Sequence, residues 1–123
     1  MVFAGAIKQV IGYIHSESHR TITLEELSEL VGISSCYLSR MFHRITGYSI
    51  VTYINHTRCE RAKQLLAQQN LSVEAVAYEC GFANVSYFIR TFRKMTGTVP
   101  SEYRARFLRE RQEEETSQPC KDL

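Results

Sequence analysis

Four cysteines and four histidines have the widest chemical repertoire in this chain of 123 residues. Cys36, Cys59, Cys80 and Cys120 are spaced by 23, 21 and 40 residues. No pair is CxxC, and no histidine stands at zinc-finger distance from two cysteines, so no metal site is expected. His15, His19, His43 and His56 are scattered. No Ser/His/Asp or Cys/His grouping forms around them, so neither catalysis nor a cofactor is expected. The remaining chemistry is cationic. At helical spacing Cys36, Ser39, Arg40 and His43 fall on one stripe, and Ser86, Ile89, Arg90 and Arg93 on another. Neither stripe holds an acid. A solvated helix face normally mixes signs, whereas a face that meets phosphates should not.

The charge along the chain follows the same division. Net charge is +2. Residues 35–66 carry +4 and residues 84–109 carry +5, with acidic stretches before, between and after them. A polyanion touched in two places would suit this pattern, although two solvated helix faces would give it too. Composition is that of a soluble globular domain, 44% hydrophobic and 23% charged. It excludes extensive disorder and collagen. No apolar stretch approaches the roughly 18 residues of a membrane span, and the N-terminus lacks the pattern of a secretory signal. Reduced thiols in the cytoplasm are the expectation.

The elements that position the two stripes are copies of one unit. Thr23–Ile33 aligns with Ser72–Phe82 at an offset of 49, and Leu38–Gly47 with Phe88–Gly97 at an offset of 50. In each copy a Thr or Ser caps a short helix, which ends at Gly32 or Gly81. Ser34 or Ser35, and Asn84, cap a longer second helix, 35–46 and 85–96. Their apolar stripes are Leu38, Met41, Phe42 and Ile45, then Phe88, Phe92 and Met95. Helix, glycine turn, longer helix is a helix-turn-helix, whose second helix is free to enter a major groove. A plain helical hairpin is the rival.

Three further helices are expected. Residues 4–16 pack Ile7, Val10, Ile11 and Ile14 on the first unit. Residues 50–68, capped by Ser49, join the units, and 19 residues span roughly 28 Å. Pro100 suits the first turn of a last helix to about residue 109. The acidic tail, 110–123, is expected to be disordered. The fold is therefore all-α: about seven helices, with subdomains of about 4–48 and 72–109 on a long linker helix.

Three stretches then resemble the DNA-binding domain of the AraC/XylS family of transcription regulators. The first runs from Leu24-Glu-Glu-Leu through Gly32 and Tyr37-Leu38-Ser-Arg40-Met-Phe42 to Tyr53-Ile54. The second is Arg58-x-x-x-Ala62-x-x-Leu65-Leu66. The third holds Gly81-Phe82, Ser86-Tyr87-Phe88-Ile-Arg90-Thr-Phe92-Arg93-Lys94, Gly97, Pro100 and Tyr103-Arg104. The match covers about residues 5–108. It implies two homeodomain-like helix-turn-helix units in tandem, with both recognition helices in adjacent major-groove segments of double-stranded DNA. By position, Cys36, Tyr37, Ser39 and Arg40 become the first base readers, and Val85, Ser86, Tyr87 and Arg90 the second. Arg40 and Arg90 can each bond a guanine edge, grip a phosphate or stay in solvent. Ser35, His43, Arg44, Asn84, Arg93 and Lys94 are read as backbone contacts. Arg58 is read as structural, facing the body of the domain. Ile89 departs from the small polar residue usual there, and Val99 from a capping Thr.

The resemblance also implies activation of transcription, with RNA polymerase as a further partner. Many family members carry an N-terminal effector or dimerisation domain, which these 123 residues lack. They are the DNA-binding half of a larger regulator or a small, effector-independent member. A helical protein-interaction module is the alternative from another class.

Overall fold

The computed structural model describes residues 2–68 and 70–117. They form seven helices: α1 Val2–Glu17, α2 Leu24–Val31, α3 Ser35–Thr46, α4 Ile50–Leu66, α5 Val73–Glu79, α6 Val85–Thr96 and α7 Pro100–Ser117. No strand occurs among the described residues.

Local sequence sets the helix starts. The side chains of Thr23, Ser34, Ser49, Ser72 and Asn84 each accept the backbone N–H three residues on, satisfying one free donor of the first turn. At α2 the exchange is reciprocal, because Glu26 reaches back to the Thr23 N–H. Ser34 is therefore the cap of α3, and Ser35 its first helical residue.

The repeat persists down to single hydrogen bonds. The Ile33 N–H donates to the Ser28 carbonyl at 3.2 Å, and the Phe82 N–H to the Ala77 carbonyl at 3.0 Å. The Thr46 hydroxyl donates to the Phe42 and Tyr48 carbonyls, and the Thr96 hydroxyl to those of Phe92 and Thr98. Both copies thus leave the second helix by the same bonded corner.

Two separate cores result. Ile7, Val10, Ile14, Leu27, Leu38, Phe42, Ile50 and Ile54 fill the first. Cys59, Ala62, Leu66, Val76, Ala77, Cys80, Phe82, Phe88 and Phe92 fill the second. Each large apolar side chain so buried contributes about 1.5–3 kcal/mol. The linker helix α4 belongs to both, its N-terminal half to the first core and its C-terminal half to the second.

Several expectations are corrected. Ile45, expected in the buried stripe, is 48% exposed on the last turn of α3, beyond the Phe42 level where the core closes. Ile89, expected on an exposed stripe, lies half-buried against the second core. Helix α4 ends at Leu66 rather than 68, and α7 runs to Ser117 rather than 109. Residues 110–113 are exposed, but Glu, Arg and Gln are strong helix formers, and helicity needs no burial once a helix has started. The remainder of the tail expected to be disordered, 118–123, lies outside the described residues.

Candidate nucleic-acid interface

Helices α3 and α6 carry nearly all the predicted site residues. On α3, Cys36, Tyr37, Ser39, Arg40, His43 and Arg44 are exposed, and Ser35 is half-buried. Ser35, Cys36, Ser39, Arg40 and His43 come together along one open cleft of about 600 Å³ that also touches Leu24 and Ser49. On α6, Ser86, Tyr87, Arg90, Arg93 and Lys94 are exposed, as is Asn84 at its start. Val85 is half-buried and packs against the second core.

Ion pairing separates two kinds of cation. Arg40, Arg44, Arg90, Arg93 and Lys94 make no ion pair with any described residue. Arg20 and Lys63 are instead neutralised within the fold. Arg20 bonds Glu17 at 2.8 Å and also pairs with Glu26. Lys63 bonds Glu60 at 2.9 Å. The Arg20 guanidinium, with the Tyr13 hydroxyl, holds the Glu26 carboxyl down at about 2. Tyr13, Arg20 and Glu26 thus form a closed knot between α1 and α2.

Arg58 and Arg104 are partnered differently, by main chain. Arg104 Nε donates to the Leu66 carbonyl at 2.9 Å, and Nη2 to that of Gln68 at 3.2 Å. A cation there satisfies the free carbonyls at the end of α4. Arg58 is half-buried and donates to the carbonyls of Ser18 and Arg20, as its structural reading requires. Burial lowers its pKa from the usual guanidinium value.

Asn55 was missed in the sequence. It is 7% exposed, and its Nδ2 donates to the Tyr87 hydroxyl at 2.9 Å. The Tyr87 ring also packs obliquely on Phe82, with centroids 6.0 Å apart. Tyr87, expected to read bases, is therefore anchored by its hydroxyl, while 40% of its surface stays open. The missed signal was available: Asn55, Cys59, Ala62 and Leu66 lie at steps of four, three and four. A polar residue heading an apolar stripe needs a buried partner.

The thiols divide likewise. Cys36 is exposed on α3, whereas Cys59 and Cys80 are buried. Burial pushes the Cys59 thiol up to about 12 and the Cys80 thiol up to about 11. Among the described residues, no group of three or more His, Cys, Asp or Glu is placed to hold a metal, and no helix is long and apolar enough to cross a membrane.

Comparison with known proteins gives this surface a context. A family described as "Helix-turn-helix domain" matches residues 27–106. An HTH-type transcriptional regulator of Escherichia coli strain K12, YijO, is 41% identical over 95 residues, which are 77% of this chain and 34% of that protein. The chain thus spans about a third of that relative's length. A probable AraC family transcriptional regulator from Rhodopseudomonas palustris has a similar structure, with a TM-score of 0.77 and 38% identity over 84% of this chain and 97% of that one. The DNA-binding domain of AdpA, solved with a target DNA, aligns with a TM-score of 0.81 at 26% identity, over 86% of this chain and 96% of that one.

Proposed function

The chain belongs to the AraC-type helix-turn-helix family of DNA-binding transcription regulators, and from that premise we propose that it reads two adjacent major-groove segments, one with α3 and one with α6. The observation that carries this is electrostatic. Both helices present a face without acids, and their cations make no ion pair with any described residue. Leaving five such cations unpaired gains the fold nothing, while phosphates would neutralise them with release of counterions. Helix α4 has 17 residues, about 25 Å at 1.5 Å per residue. Together with the helices it carries, it can span readers set about 34 Å apart on one face of the duplex. In this reading Arg40 and Arg90 are the principal base contacts. Ser39 and Ser86 are adaptable donors beside them, and Cys36 and Tyr37 reach apolar base edges. Arg44, Arg93 and Lys94 grip phosphates, with His43 and the helix starts at Ser35 and Asn84.

The decisive experiment is selection of binding sites from random duplex DNA, followed by a salt titration on the selected site. The expected result is a bipartite consensus about one helical turn apart and an affinity that falls steeply with salt. A single short motif, or salt-insensitive binding, would overturn it.

The family resemblance points further, to activation through contact with RNA polymerase, which transcription from a promoter bearing the selected site would test. The length of the E. coli relative favours one more reading, that this unit serves as the DNA-binding part of a larger effector-responsive regulator. The mass of the polypeptide detected in cells by an antibody to this domain decides that point.

A further inference from the structure

The two helix-turn-helix units touch each other directly as well as through α4. Gly81, in the turn of the second unit, has φ +98°, and a Cβ added there would lie 2.1 Å from the Ser18 carbonyl oxygen and 3.0 Å from the His19 carbonyl carbon. Backbone of the α1–α2 loop is therefore pressed against the turn before α6. The helix-turn-helix itself does not require this. Gly32, the equivalent glycine of the first unit, has a similar φ of +69° and nothing within 4 Å of the same added atom.

Arg58 holds this junction. Its Nε donates to the Ser18 carbonyl at 2.9 Å and its Nη2 to the Arg20 carbonyl at 2.8 Å, across 40 and 38 residues of sequence. Its guanidinium carbon lies 5.6 Å from the centre of the Phe82 ring. Phe82 in turn packs on Tyr87 and Phe88 of α6, and Asn55 ties Tyr87 back to α4. We propose that Arg58 is a positioning residue that fixes the angle between α3 and α6, by clamping the loop of the first unit onto the turn of the second. For DNA reading this rests on the two-segment function proposed above. Only a planar fork grips two carbonyls while lying over a ring; lysine offers a single compact ammonium.

Two variants test the clamp. Arg58→Lys keeps the charge, and Arg58→Met keeps the apolar stem over Phe82 without a donor. The first measurement needs no DNA. Spin labels on Cys36 and on an Arg90→Cys site, with Cys120→Ser, report the α3–α6 distance, because buried Cys59 and Cys80 escape labelling. A narrow distance distribution is expected with Arg58 and a broad one in both variants, at unchanged helical circular dichroism. A distribution that stays narrow overturns the proposal, and so does loss of the fold in both variants, which would make Arg58 a general stability residue. The second measurement, without labels, compares the selected site with one whose halves are two base pairs further apart. The protein with Arg58 should lose about 10²-fold in affinity, the scale of lost tethering, and the variants less than about 10-fold. Folded variants that keep the full spacing penalty overturn the proposal. If the distance distribution broadens but the parent shows no spacing penalty, the clamp stands and the two-segment reading fails.

Discussion

Arg40 and Arg90 occupy equivalent positions one repeat apart, and both are exposed and make no ion pair with any described residue. Each should lose about 1–3 kcal/mol of specific binding on substitution by alanine, and each should relax base preference in one half of the site only. Repeating the site selection with each variant checks this. A uniform loss over all sequences would make them phosphate grips. Cys36 supplies a second probe of the same face. In the native protein iodoacetamide should modify Cys36 and spare Cys59 and Cys80, because the thiolate is the nucleophile and burial suppresses it in the latter two. Saturating specific DNA should then protect Cys36, as read by mass spectrometry of its peptide. Undiminished labelling in the complex would remove Cys36 from the contact surface.

Among the elements, α2 depends most on one side chain. Glu26 closes the capping box with Thr23 and accepts from Arg20 and Tyr13. Its folded pKa of about 2 lies below its ordinary value of 4.5. Such a group contributes stability that is fully present above the unfolded value and is lost as pH falls through the folded one. Glu26→Gln should therefore lower Tm at pH 7, and the gap between variant and parent should close between about pH 5 and pH 2. Thermal melts across that range test the sign; a gap that does not change with pH would mean that the charge of Glu26 is irrelevant. Helix α7 shows the opposite case, in which local propensity extends an element beyond anything its packing demands.

For the whole molecule, α4 contributes to two cores and so transmits register between them. One alanine inserted after Asn55 would turn the C-terminal half by about 100° and advance it about 1.5 Å. Ile50 and Ile54 would remain in the first core, and Cys59, Ala62 and Leu66 in the second. Arg58 would swing away from the Ser18 and Arg20 carbonyls, and Asn55 would part from Tyr87. Helical content should persist by circular dichroism, while affinity for a two-segment site should drop on the order of 10²–10⁴-fold toward that of one unit. Unchanged affinity in the folded insertion variant would show that a single unit does nearly all the reading.

What the amino-acid sequence determines here is everything written in short-range pattern. The 49- and 50-residue offsets reveal the tandem unit, hydroxyl and Asn caps place the helix starts, and acid-free stripes mark α3 and α6. These features were legible because a cap, a turn or a helix face is decided by residues within a few positions of one another. Ile45 and Ile89 depart from the periodic pattern because periodicity gives a side chain's direction on its own helix, not what stands opposite. Tertiary structure alone decides which cations are spent inside the fold and how the two readers are turned toward each other. As residue types Arg58 and Arg104 look no different from Arg40 and Arg90, and only the family resemblance sets Arg58 apart as structural. Their partners are main-chain carbonyls up to 40 residues away, and every residue carries a carbonyl, so no residue type announces the pairing. The contact at Gly81 is hidden for the same reason, since backbone meeting backbone leaves only an absent side chain as its trace.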